Sequence, residues 1–134
     1  MTLEFILATP THADIIGSLV IQLTQEICER TNSQHFDINL EGTVRRCEAL
    51  LAAGHYAAII GWSGNIPIAV ATIAETFALY AGGKIGLIQE FYVLPEYRSS
   101  GVGAMLLEQV RHYGQKQNWS CKVDPTVQTN YYSV

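Results

Sequence analysis

The chain has no apolar run approaching the roughly 20 residues that cross a bilayer as a helix. Its apolar stretches, such as Ile66 to Ala74, are far shorter and polar residues interrupt them, so no membrane span is expected. A secretory leader is not expected either: Met1 to Ala8 carries the acidic Glu4 in place of a basic flank, and its apolar run is brief. Together these absences predict a cytoplasmic protein. Positive charge is also scarce, with 8 Lys and Arg against 12 Asp and Glu and a formal charge of −4. Sequence-independent binding to nucleic acid needs clustered cations to neutralise phosphates, so no nucleic-acid partner is expected. A cationic small substrate is easier to accommodate. Cysteine is rare: Cys28, Cys47 and Cys121 are odd in number and widely spaced, which fits neither a disulfide framework nor a zinc site. They read as reduced thiols. His12, His55 and His112 lack metal-ligand spacing, and no metal is expected.

What is present is apolar material, 49% of 134 residues, enough for the core of one domain over residues 1–134. Leu3, Phe5 and Leu7 mark a first strand that stops at Thr9-Pro10. Thr11, three residues before Asp14, resembles a capping box. Ile15, Ile16, Leu19, Leu23 and Ile27 then recur at helical spacing, which predicts a helix near residues 12–29. Residues 30–40 lack a period and read as a loop. A second helix fits Glu41 to Ala53, with Gly54 as its stop. Tyr56 to Trp62, a Ser63-Gly64-Asn65 turn and Ile66 to Phe77 read as an antiparallel hairpin. Ile85 to Leu94 adds a third β segment. A helix then runs to about Gln117, with Asn118 as its stop before a strand at Trp119 to Val123. The order β-α-α-β-β-β-α-β predicts a mixed α/β (α+β) fold, a largely antiparallel sheet flanked by helices.

Chemistry concentrates in the run from Gln89 to Ala104. An aromatic strand ends in Val93-Leu94-Pro95, Arg98-Ser99-Ser100-Gly101-Val102-Gly103 follows, and a helix begins. A helix start presents unpaired N–H groups and the positive end of its dipole. Glycines let a bulky anion approach the backbone, and Arg98 adds positive charge, so a pyrophosphate fits this place. The same glycines also suit a tight turn that binds nothing. A P-loop is excluded because no Gly-Lys-Ser/Thr ending is present, and Leu106 stands where a dinucleotide motif needs its third glycine.

Residues 89–107 resemble the pyrophosphate-binding motif of the GNAT superfamily of acetyl-CoA-dependent N-acetyltransferases, and the order of elements over the first 120 or so residues is similar too. The resemblance implies acetyl-CoA as acyl donor and a small-molecule amine as acceptor. It implies that amides of Ser99, Ser100, Gly101, Val102, Gly103 and Ala104, with Arg98, hold the pyrophosphate. It also implies that the strand edge at Phe91, Tyr92 and Val93 pairs with the pantetheine arm. Glu90 would be the base, and His35 and Phe36, in the first long loop, would contact the acceptor. The stretch looks closest to polyamine and thialysine acetyltransferases, where an adjacent Glu-Asp pair precedes the aromatic strand; here Gln89 replaces the first acid. Neighbours on a strand point to opposite faces, so Gln89 and Glu90 share a cleft only if a bulge intervenes.

Similar enzymes continue past Trp119 with a helix and two strands, whereas only Pro125 to Val134 follow that strand here. Truncation, divergence and completion by another copy all fit. An uncovered sheet edge invites association, so a homodimer or another covering segment is expected. A non-catalytic coenzyme A-binding or interaction domain is the alternative reading.

Overall fold

The structure, a computed structural model, describes residues 2–32 and 38–120. Strand β1 spans Leu3–Leu7, and helices α1 and α2 span Ala13–Thr31 and Leu40–Ala52. Strands β2, β3 and β4 follow at Tyr56–Ser63, Ile66–Ala78 and Gly83–Val93, and helix α3 covers Val102–Lys116. The first seven elements thus occur in the expected order. The expected strand from Trp119 lies outside the described residues beyond Ser120, whose N–H donates to the Lys84 carbonyl at 2.7 Å. No described helix is long and apolar enough to cross a membrane.

The strands form one antiparallel sheet in the order β1-β2-β3-β4. Ile68 to Ile73 on β3 are all buried, a contiguous run that alternation on a one-sided sheet could not produce. Cover on both faces is therefore required. The α1/α2 pair supplies one layer, and α3, packed on β2, β3 and β4, supplies the other.

Local chemistry sets the ends of the helices. At the close of α2, Gly54 takes φ +78°, its N–H donates to the Leu51 carbonyl and that of His55 to Leu50, a Schellman stop. Asn118, at φ 59°, ends α3 with the same pair of bonds, to Gln115 and from Trp119 to Gly114. The start of α1 departs from expectation. Thr11 does not cap Asp14; its hydroxyl pairs with that of Thr9 at 2.6 Å, and the Thr9 N–H donates to His12 Nδ1 at 3.0 Å. Pro10 starts a single 3-10 turn at Pro10–His12, so the polar groups are spent one turn earlier than the helix itself.

Two helices can approach closely only where one lacks a side chain. A Cβ on Gly17 of α1 would sit 2.7 Å from Cγ2 of Val44 on α2. Gly17→Val should therefore pry these helices apart and destabilise the fold by about 1–3 kcal/mol. A lower urea midpoint with an unchanged m-value would show it; an unchanged midpoint would mean the contact is slack.

Candidate active site

The loop between β4 and α3 begins with a turn of 3-10 helix at Pro95–Tyr97 and bends through two left-handed residues, Ser99 at φ 67° and Gly101 at φ +85°. Gly101 is the residue before α3, and a Cβ placed on it would meet nothing within 4 Å, so its surroundings are open. The first α3 turn closes with Met105 N–H on the Gly101 carbonyl at 3.0 Å. Among the described residues, no main-chain amide from Ser99 to Ala104 donates to a main-chain acceptor. That leaves a group of N–H donors at the positive end of a helix, turned through alternating backbone conformations that favour anions. Gly103 is different: it is buried within α3 and uses no left-handed conformation, so only Gly101 needs the freedom of glycine here.

Arg98 holds the loop from the side. Its Nε donates to the Val93 carbonyl at 2.8 Å, and its two terminal nitrogens grip both oxygens of Glu26 on α1 at 2.8 and 2.7 Å. All three groups of the guanidinium are thus engaged by protein. Its Cζ also lies 5.3 Å from the ring centre of Tyr92, a buried side chain, which favours the packing role for that tyrosine. The Arg98 hydrogen bond holds the Glu26 carboxyl below the usual carboxylate range, against the opposing effect of burial. Its contribution to stability is therefore present at neutral pH and lost as pH falls through the lowered pKa. Glu26→Gln should cost about 1–3 kcal/mol and flatten that acid dependence. Thermal melts from pH 7 downward test it, and parallel curves for the two chains would refute it.

The second half of the site is a cleft of about 550 Å³ between α1, α2 and the sheet. Strand β4 reaches it through an irregularity. Thr72 on β3 pairs with Glu90 while Ile73 pairs with Ile88, so Gln89 is an extra residue in β4. The bulge lets both Gln89 and Glu90 border the cleft, which resolves the alternation left open by the sequence. Thr72, 1% exposed, donates its hydroxyl to Glu90 Oε1 and accepts from the Glu90 N–H at 2.9 Å. Burial raises the Glu90 pKa, partly offset by the Thr72 hydrogen bond. Across the cleft, burial and then the charge of Glu90 push the Cys47 thiol up to about 11 and the Tyr56 phenol up to about 12. Cys47 is thus a neutral wall residue at pH 7 and no nucleophile. Cys28 and Cys47 are both free of disulfides, as expected.

His35 and Phe36 lie outside the described residues. His55 and His112 are exposed, and no group of three or more His, Cys, Asp or Glu among the described residues could hold a metal. Sequence reasoning missed Glu26, Arg46, Thr72 and Tyr56. Thr72 carried a faint signal as the polar residue amid the apolar run Ile66 to Ala74; the others carried none, since their partners lie far away in the chain.

Residues 19–133 match the model of the acetyltransferase (GNAT) family. This chain belongs to that family. A segment of 49 residues is 39% identical to an uncharacterised N-acetyltransferase of Archaeoglobus fulgidus, covering 37% of this chain and 33% of that relative. The matched stretch thus spans about one third of the length of that relative. Among solved structures, a predicted acetyltransferase from Clostridium acetobutylicum with acetyl-CoA is similar at TM-score 0.73 and 19% identity, over 92% of this chain and 79% of that one. A ribosomal-protein-alanine N-acetyltransferase from Brucella melitensis biovar Abortus reaches 0.70 at 15%, over 97% and 85%. An aminoglycoside acetyltransferase from an uncultured soil sample reaches 0.67 at 13%, over 89% and 76%. These three likenesses establish the fold, so the GNAT assignment rests on the family model together with that architecture.

Proposed function

We propose that this GNAT chain moves an acetyl group from acetyl-CoA to the primary amine of a small molecule by direct attack. The observation that carries the reading is the run of main-chain amides from Ser99 to Ala104 with no main-chain acceptor, at the mouth of α3 and beside an open Gly101. Those amides suit a pyrophosphate. Among the described strands β4 is the last of the sheet, which favours Phe91, Tyr92 and Val93 as the rail for the pantetheine arm. Arg98 serves the site by tying the loop to Glu26 and to the end of β4, which holds the amides in register.

Bound acetyl-CoA would supply an activated thioester carbonyl. The amine nitrogen bonds to that carbon, the carbon–sulfur bond breaks, the sulfur leaves as thiolate to be protonated, and the amine gives up a proton. Glu90 takes that proton, directly or through water, and its raised pKa makes it a stronger base than a solvated carboxylate. Thr72 orients the carboxyl, and the apolar wall of the cleft limits water. Self-association belongs to the same reading. Phe77, Leu79 and Tyr80 at the β3–β4 tip are 79%, 101% and 87% exposed, an apolar group that a second copy would cover. The reaction is also assigned to the cytoplasm.

Isothermal titration of the chain with acetyl-CoA is the direct test. Binding with release of coenzyme A on addition of an amine supports transfer. Binding without release for any amine supports a non-catalytic coenzyme A-binding domain, and no binding removes both of these and leaves the interaction-domain reading.

A further inference from the structure

The charges in the cleft describe the acceptor. Among its described lining residues only two side chains are ionisable as acid or strong base, Glu90 at the sheet and Arg46 on α2. Thr43, Arg46, Cys47 and Leu50 stand at the i, i+3, i+4, i+7 spacing that makes one helix face, so Arg46 belongs to the face that α2 turns to the cleft. Its neighbour Arg45 is spoken for by Glu41 at 2.9 Å. Arg46 itself forms no ion pair with any described carboxylate. It is exposed, whereas Glu90 is partly buried, so the cation stands nearer the mouth and the acid deeper. Apolar groups from α1, such as Val20, Leu23 and Ile27, line the same space.

Resting on the acetyl-transfer reading, we infer that the acceptor is a zwitterion: a primary amine and a carboxylate separated by an apolar body, with the carboxylate on Arg46 and the amine at Glu90. A guanidinium presents a planar fork that matches a carboxylate with two hydrogen bonds, and it does so best where water is partly excluded. A polycation fits poorly. Spermidine or an aminoglycoside would bring further ammonium groups against apolar side chains and toward Arg46, with no second described carboxylate in the cleft to receive them. Of the two acceptors suggested by the nearest sequence resemblance, polyamines and thialysine, the polyamines are thereby disfavoured by the charges of the cleft. The zwitterion instead neutralises Arg46 and leaves its apolar body against α1, where burial of apolar surface is favourable.

The test uses the full chain with acetyl-CoA and four amines: 6-aminohexanoate, 8-aminooctanoate, hexylamine and spermidine. Acetylated product is measured by mass spectrometry, and binding of each amine by calorimetry with coenzyme A present, which requires no turnover. At least one of the two amino acids should be favoured over hexylamine and spermidine by tenfold or more in kcat/KM or in affinity. In Arg46→Met the ratio of the favoured amino acid to hexylamine should fall at least tenfold, chiefly through KM. Spermidine preferred over both amino acids, or an unchanged ratio in the variant, overturns the inference. If no amine is acetylated while selective, Arg46-dependent binding of the zwitterion persists, the transfer reading fails and the assignment of the pocket stands. If none of the four binds or reacts while acetyl-CoA binds normally, the zwitterion assignment fails.

Discussion

Glu90→Gln should lower kcat by about 10²–10⁴-fold, the usual range for loss of a positioned base, and should at the same time make the protein more resistant to unfolding at neutral pH. The two effects share one cause. Burial raises the Glu90 pKa, so the folded state prefers the protonated form. A group whose pKa rises on folding contributes stability below its unfolded pKa and loses it as pH climbs through the folded value. The wild-type chain should therefore grow less stable over that interval, while the glutamine variant, which carries no charge there, stays level. Activity runs the opposite way, since only the ionised carboxylate accepts a proton. kcat/KM should climb with pH through the same interval in the wild type and lose this limb in the variant. Thr72→Val removes the hydroxyl that donates to Glu90 and lowers its pKa, so the limb should move to higher pH. Rate profiles and melting curves on the three chains decide the matter; an active glutamine variant with an unaltered acid limb would remove Glu90 from the chemistry.

The second large effect is expected at Gly101. A valine there must either hold φ near +85° or pull the loop into a new path, and a β-branched residue resists the first. Either outcome disturbs the amides from Ser99 to Ala104, so affinity for acetyl-CoA should fall tenfold or more. Strain alone could lower affinity by weakening the fold, and Gly54 controls for that. It has φ +78°, equally open surroundings and a place at the end of α2, outside the loop. Gly54→Val should lose comparable stability with little change in affinity, as seen by calorimetry on both variants. Equal affinity for the Gly101 and Gly54 variants would argue that the ligand does not use the loop.

Much of the fold could be read along the chain because the deciding interactions are local. Gly54 and Asn118 stop their helices through bonds to residues three to five positions earlier, and Ser63-Gly64-Asn65 turns a hairpin whose two strands are neighbours in sequence. The loop proposed for the cofactor could be located for the same reason, since Arg98, Gly101 and the start of α3 lie within one short segment. The cleft proposed for the acceptor could not. Its acid, its threonine and its arginine come from β4, β3 and α2, and nothing in the residue types announces that they meet. The partner of Arg98 was hidden on similar grounds: a carboxylate 72 positions away in the chain engages both its terminal nitrogens. The bulge at Gln89 left no compositional trace, because any residue can be the additional one.

That additional residue has a consequence for how the protein tolerates change. Up to Ile88 strand β4 keeps one alternation between the two faces of the sheet, and from Glu90 onward it keeps the other, with Thr72 clasping the point of inversion. Shortening the strand by one position would not merely remove an amide side chain. It would exchange the two helix-covered faces of the sheet for one half of the strand relative to the other, setting the acid and the glycine turn against the half that abuts Trp119. Length at this one point is therefore more constrained than identity, the reverse of what holds across an ordinary surface loop.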